Sequence, residues 1–76
     1  MIDENAKKLL MEKNLQMKEN GEIAEILKME IRGDDIAMVL VETKNGNKVW
    51  FSYRYIGGSW MFHGFMRDDA RLKKDP

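Results

Sequence analysis

The stretch that decides the fold is Lys48-Val49-Trp50-Phe51-Ser52-Tyr53-Arg54-Tyr55, eight residues of which four are aromatic. Aromatic and β-branched residues of this kind favour strands. The stretch lies between Asn45-Gly46 and Gly57-Gly58, two pairs typical of hairpin turns, because Asn and Gly tolerate the positive φ angles that two-residue turns require. The pattern predicts three consecutive antiparallel strands, with the aromatic stretch in the middle.

The N-terminal segment is predicted to form a helix over about residues 3–19. Asp3 can accept a hydrogen bond from an unpaired backbone N–H at the start, and Asn20-Gly21 suits the left-handed end of a helix. Met11 and Leu15, four residues apart, form an apolar pair on one side of this helix. This pair either is an ordinary exposed pair or has a contact role. The opposite side is mainly apolar and is expected to face the core, with Ile2, Ala6, Leu9, Leu10 and Met17.

Four strands are predicted to follow, at about 22–32, 36–44, 48–56 and 59–67. The first is less regular, since Glu25 interrupts its apolar alternation and its residues also suit a helix. The fold class is therefore α+β, with one N-terminal helix packed on a four-stranded antiparallel meander sheet. Residues 1–67 are predicted to form a single domain, and residues 68–76 a charged C-terminal tail.

The turns also predict which side chains share a face of the sheet. If Gly33-Asp34, Asn45-Gly46 and Gly57-Gly58 are each the central pair of a two-residue turn, every strand's register is fixed, because a slip of one residue inverts a strand. The face toward the helix is then predicted to collect Leu27, Met29, Ile31, Ile36, Met38, Leu40, Val49, Phe51, Tyr53, Tyr55, Trp60, Phe62 and Met66.

The opposite face, which we call the outer face, is predicted to be unusually apolar for a sheet with a helix on one side only. A contiguous exposed apolar patch commonly marks an interaction site. Trp50 and Arg54 are expected to anchor it, because Trp and Arg are enriched at the energetic centres of interfaces. The predicted interface residues are Ile26, Val41, Trp50, Arg54, Met61, His63 and Phe65.

Three hypotheses compete for the outer face. The first is a protein interface, either a homodimer with sheet packed on sheet or a docking surface for another protein. The second is binding of single-stranded nucleic acid, because basic and aromatic residues share the face, among them Lys28, Lys48, Arg54 and Arg67. The third is that the outer face has no binding role, because its apolar residues are simply tolerated or are partly covered by the tail. A small-molecule cleft beside Tyr53 and Tyr55 is a further alternative.

No enzymatic chemistry is predicted, and no catalytic, cofactor-binding or metal-binding residue is proposed. The chain has no cysteine and a single histidine, His63, and it lacks a glycine loop of the kind that binds phosphates. Ser52 and His63 lie opposite each other in the predicted register, but no third group is evident to orient the imidazole.

Composition argues against other classes. Thirteen basic residues balance thirteen acidic ones, so no overall charge attracts nucleic acid or a membrane. With no leader-like or long apolar segment, we expect a cytoplasmic protein without membrane contact.

The order of elements resembles a known family of folds. A helix precedes strands that contain Val39-Leu40-Val41-Glu42, the Asn45-Gly46 turn, the aromatic strand and the Gly58-Ser59-Trp60 start of the last strand. This arrangement resembles the cystatin-like α+β roll and the sheet half of nuclear-transport-factor-like domains. The resemblance implies a frequent tendency to dimerise through the sheet. It assigns no functional residue, because the inhibitory loop signature of cystatins is absent.

Overall fold

A computed structural model describes residues 2–67, which form one helix followed by four strands. The elements are α1 (Glu4–Glu19), β1 (Glu25–Ile31), β2 (Ile36–Glu42), β3 (Lys48–Ile56) and β4 (Ser59–Arg67). The strands form an antiparallel sheet in the order β1-β2-β3-β4. The predicted α+β fold is confirmed, whereas the predicted tail at 68–76 lies outside the described residues.

The ends of α1 are set by local signals in the sequence. The Asp3 carboxylate accepts a hydrogen bond from the Ala6 backbone N–H at 2.9 Å, as expected of an N-cap. The helix stops at Asn20, whose N–H donates to the Gln16 carbonyl oxygen at 2.9 Å. The buried residues of α1 are spaced four apart, namely Ala6, Leu10 and Asn14.

Two aromatic side chains of the sheet hold α1 in place through buried hydrogen bonds. The Trp60 indole N–H donates to the Ala6 carbonyl oxygen at 2.8 Å. The Tyr53 hydroxyl donates to Asn14 Oδ1 at 3.3 Å, and Asn14 Nδ2 donates to the Leu10 carbonyl oxygen at 2.9 Å. Because buried polar groups are costly without partners, these bonds favour one position of the helix over the sheet.

The Tyr53 hydroxyl makes stability depend on pH in alkaline solution. Burial raises the pKa of Tyr53 from 10.0 to about 12, although the hydrogen bond with Asn14 acts in the opposite direction. The native state therefore holds this proton more tightly than the unfolded chain does. Its contribution is complete below about pH 10 and is lost as the pH rises through about 12, a loss of about 2–3 kcal/mol.

Urea unfolding measured from about pH 8 to pH 12 tests this expectation. Tyr53→Phe is the control, because the variant keeps the ring and removes the titrating group. The difference in unfolding free energy between the two proteins should shrink as the pH rises. A difference that stays constant above pH 10 would contradict the raised pKa.

The turn between β3 and β4 has the predicted form. Ile56 pairs with Ser59, which leaves Gly57 and Gly58 as the two turn residues. Their φ angles are 59° and 83°, both positive, as a type I′ turn requires.

The loop between β2 and β3 is one residue longer than predicted. Thr43 N–H donates to the Asn47 carbonyl oxygen at 2.8 Å, and Gly46 N–H donates to the Thr43 carbonyl oxygen at 3.0 Å. Gly46 has a φ of 86°, whereas Asn45 has a negative φ. This is a type I turn followed by a left-handed glycine, a common form of three-residue hairpin loop.

The loop between β1 and β2 is also one residue longer than predicted, since Arg32 N–H donates to the Ile36 carbonyl oxygen at 2.8 Å. With both of its loops lengthened, β2 is inverted relative to the predicted register. The prediction for β2 is therefore wrong, because the residues that face the helix are Ala37, Val39 and Val41. Those that lie on the outer face are Ile36, Met38 and Leu40.

Two bulges invert the ends of the edge strands as well. Leu27 is the extra residue in β1, and His63 is the extra residue in β4. An extra residue turns the side chains beyond it to the other face. As a result Ile26 and Phe65 lie on the helix side, and Met66 lies on the outer face.

The core lies between α1 and the sheet. Its buried residues are Ala6, Leu10, Ile23, Ala37, Val39, Val41, Val49, Tyr53 and Trp60. Predicted core residues that pack in it or against it are Met29, Ile31, Val49, Phe51, Tyr53, Tyr55 and Trp60. Leu27 and Leu9, which were also predicted to face the core, are exposed.

Candidate functional site

A row of four side chains, one from each strand, crosses the outer face, with Lys28 at the β1 edge followed by three apolar residues. Lys28 pairs with Leu40, Leu40 with Trp50, and Trp50 with Met66. Trp50 is only 5% exposed, although α1 lies on the other side of the sheet and Trp50 is not part of the core beneath it. Trp50 therefore forms the base of the outer face, with Leu40 and Met66 on either side.

Accessible apolar side chains surround this row. Met61 is 54% exposed, and Ile36 and Met66 are exposed to a smaller extent. Met38 and Leu40 are half-buried. Met side chains are flexible and polarisable, so they adapt to the shape of a partner. Together these residues give the outer face an apolar centre that a second protein surface can cover.

Three of the basic residues around this centre are paired with carboxylates. Glu30 accepts hydrogen bonds from Lys28 at 3.0 Å and from Arg32 at 2.7 Å, and these two contacts hold the pKa of its carboxyl below the usual range. Arg54 donates to Asp35 at 3.3 Å. The margin of the outer face thus carries both signs of charge.

The predicted interface residues separate into two groups in the structure. Trp50, Arg54 and Met61 lie on the outer face, with Arg54 paired to Met61 across β3 and β4. Val41 is completely buried beneath α1, and Ile26 packs against the same core. Neither Val41 nor Ile26 can belong to the outer face, because they pair with each other on the helix side of the sheet.

The remaining two predicted residues are displaced by the bulge in β4. His63 is the bulged residue itself and is exposed. Phe65 pairs with Phe51 and lies on the helix side, where it is 67% exposed. Neither Val41 nor Phe65 therefore lies beside Trp50 on the outer face, as their assignment to the interface had required. The observed row contains Leu40 and Met66 instead.

Several contributors to the outer face were missed from the sequence, namely Ile36, Met38, Leu40 and Met66. All four had been predicted to face the helix. Apolar residues occur on both faces of β2, so periodicity alone does not distinguish the faces. The length of the flanking loops was the one signal that could have done so.

Other chemistry has little support in the described residues. Ser52 pairs with Gly64 rather than with His63, so the suggested Ser–His juxtaposition is not formed in that register. Within residues 2–67, no group of three or more His, Asp or Glu side chains could hold a metal ion. In the same part of the chain, no helix is long and apolar enough to cross a membrane.

An open groove of about 370 Å³ lies between α1 and the start of β4. Its lining includes Lys13, Gln16 and Trp60. The predicted cleft beside the two tyrosines does not correspond to this groove, because neither Tyr53 nor Tyr55 lines it. Tyr53 is instead buried in the core.

Comparison with known proteins adds no further constraint. No family model, curated protein or solved structure matches this chain. The resemblance to the cystatin-like roll therefore consists of the element order, and membership of that family stays a prediction.

Proposed function

We propose that this protein is a small non-enzymatic binding module that forms a two-fold homodimer through the outer face of its sheet. The observation that carries the proposal is the apolar centre built around Trp50 on the face opposite α1. Such a centre, surrounded by charged residues, is the usual composition of a protein interface. The tendency of cystatin-like rolls to dimerise through the sheet agrees with it.

The size of the face supports an interface between two copies. The sheet has four strands, and at about 4.8 Å between strands it is about 19 Å wide. Strands of seven to nine residues extend about 24–30 Å. The flat footprint is therefore roughly 500 Å², of the same order as the ~800 Å² of accessible surface that each partner buries in a standard interface.

The charges at the margin suit contact with an identical surface. Lys28, Arg32 and Arg54 alternate with Glu30 and Asp35 around the apolar centre. In a two-fold interface the same patch is used by both copies, so a margin of mixed sign can place opposite charges across from each other.

Single-stranded nucleic acid is the alternative function for this face, and the geometry favours it less. Lys28 and Arg32 both contact Glu30, and Arg54 contacts Asp35, so these cations are partly neutralised. Trp50 is buried and offers little ring surface on which a base could stack. An affinity for oligonucleotides that falls steeply as salt rises would favour this alternative.

The homodimer predicts that charges placed on the outer face weaken self-association. In Ile36→Glu/Met61→Glu both new carboxylates are next to Arg54 in the sheet, so the monomer can accommodate them. Burial of these charges in the dimer is unfavourable, and the dissociation constant should increase at least about tenfold, which corresponds to about 1.4 kcal/mol. Sedimentation equilibrium measures this change.

Leu15→Glu is the matched control, because Leu15 is an exposed apolar residue on the helix rather than on the outer face. It should leave the dissociation constant unchanged. A parent protein that stays monomeric at millimolar concentration would overturn the homodimer, as would equal effects of the two substitutions.

A further inference from the structure

β4 forms one edge of the sheet. It lies at the end of the strand order, and among residues 2–67 it pairs with β3 only. It is nine residues long. A long edge strand presents backbone N–H and C=O groups that another extended chain can pair with.

The edge formed by β1 is protected, which makes the two edges different. Charged side chains occupy β1, where Glu30 contacts Lys28 and Arg32, and Glu25 contacts Lys18 of α1 at 2.9 Å. Charges on an edge strand discourage pairing with another chain. In contrast, the sequence of β4 contains no Asp, Glu, Lys or Arg before its last position.

Aromatic side chains are exposed beside the β4 edge. Phe62 contacts Phe51 and Tyr53 edge to face, with ring centroids 5.4 Å and 5.7 Å apart, yet Phe62 is 50% exposed. Phe65 is opposite Phe51 on the same side of the sheet and is more exposed still. Apolar side chains from a fifth strand would extend this cluster.

The sequence from residue 43 onward is net positive, with seven basic and three acidic residues over 43–76, and the acidic ones, Asp68, Asp69 and Asp75, all follow Arg67. Residues 43–67 contain Lys44, Lys48, Arg54 and Arg67 and no Asp or Glu. Residues 2–42 contain six basic and ten acidic residues. The net charge is therefore −4 over residues 2–42 and +4 over residues 43–67, although the total is zero. Within the described residues, no carboxylate forms an ion pair with Lys48 or Arg67.

We propose that the β4 edge binds an extended acidic segment of another protein as a fifth antiparallel strand. Backbone hydrogen bonds along β4 provide affinity, as in other cases of strand addition. Apolar residues of the segment contact Phe62 and Phe65 on the helix side of the sheet. Acidic residues of the segment lie toward Arg67 at the end of β4 and, on the outer side, toward the long side chain of Lys48. This binding uses the backbone edge of β4 and the helix side of the sheet, whereas the homodimer uses side chains of the outer face, to which β4 contributes Met61 and Met66.

Charge argues for a foreign segment rather than for a second copy of β4. Pairing two β4 strands would bring together two hairpins that each carry four cations and no carboxylate, and like charges in close apposition are unfavourable. Pairing of β4 with β1 of another copy would be heterologous and would generate a ring or an open filament instead of a two-fold dimer.

The test uses a capped nine-residue peptide that alternates glutamate with valine, labelled for fluorescence anisotropy. Binding to the full chain is expected, together with slower amide exchange along β4. A peptide with lysine in place of glutamate should bind at least about tenfold more weakly, since its charge is reversed. A glutamate peptide with alternate N-methylated amides should lose binding, because it cannot complete the backbone pairing.

Two substitutions in the protein complete the experiment. Arg67→Glu and Phe65→Ser each change an exposed residue and should each lower the affinity for the glutamate peptide about tenfold. Circular dichroism checks that both variants are folded. Ile36→Glu, a single substitution in β2 and two strands away from β4, should weaken self-association and leave peptide binding unchanged, so failure of the homodimer is distinguished from failure of this proposal. Equal affinity for the glutamate and lysine peptides would overturn the proposal.

Two other results would also overturn it. If Phe65→Ser abolishes self-association, the edge belongs to a second copy. Oligothymidylate and unlabelled peptide can be compared as competitors of the labelled peptide. If the oligothymidylate displaces it at the lower concentration, the basic residues of 43–67 form a nucleic-acid surface.

Discussion

Val39→Lys is expected to unfold the protein, whereas Met38→Lys is expected to leave it folded. Val39 is completely buried beneath α1, between Met29 and Phe51 of the neighbouring strands. A lysine there would place an unpaired charge in the core, which costs about 4 kcal/mol or more. A domain of this length has a stability of roughly 4–11 kcal/mol, so the substitution removes a large part or all of it.

Met38 is the matched control because it is the adjacent residue of the same central strand. It lies on the outer face between Glu30 and Ser52 and is half-buried. A lysine at this position can approach the Glu30 carboxylate, so the cost should be about 1 kcal/mol or less. Urea unfolding, at a concentration low enough to separate any dimer, measures both values. The opposite order of effects would show that the two-residue loops predicted from the sequence are correct.

The fold could be predicted from the sequence because its signals are local. Asp3 and Gly21 define the ends of α1, and the glycine pair at 57–58 permits one kind of tight turn. Aromatic and β-branched residues then specify the strands between the turns. None of these inferences depends on a contact between residues distant in the sequence.

The faces of the strands could not be predicted in the same way. Asn45-Gly46 suits a two-residue loop, but it also suits a three-residue loop in which Gly46 alone has a positive φ. The structure has the longer loop, and this choice buries Val39 and Val41 in place of Met38 and Leu40. The core packing beneath α1 decides between the two loops, and packing involves residues distant in sequence.

The candidate site could be predicted only in part, because it depends on the same assignment of side chains to faces. Trp50, Arg54 and Met61 were assigned to the outer face correctly, because the turn that joins β3 to β4 was identified correctly. Phe65 was misplaced because the bulge at His63 was not anticipated, although Gly64, a glycine inside a strand pattern, is a typical sign of one. Self-association through this face stays a prediction, but its accessible residues are different, and Trp50, the expected anchor, is nearly inaccessible.

Trp50→Ala is therefore expected to destabilise the fold, so a loss of binding in this variant would not identify Trp50 as a contact residue. Trp50 is 5% exposed and pairs with Leu40 and Met66 across the sheet, and its truncation should cost about 3–5 kcal/mol, a large part of the stability of a small domain. Urea unfolding followed by circular dichroism measures this loss, again with dilute protein. Phe65→Ala is the control, because Phe65 is largely exposed and should cost less than about 1 kcal/mol.

The contrast between these two aromatic residues separates a structural role from a contact role. If Trp50→Ala unfolds at nearly the same urea concentration as the parent protein, Trp50 is not the base of the outer face and must be accessible to a partner. If it unfolds much earlier, loss of self-association in this variant follows from the damaged sheet. Only substitutions at accessible positions such as Ile36 and Met61 then report on the interface itself, because they alter the surface and leave its base intact.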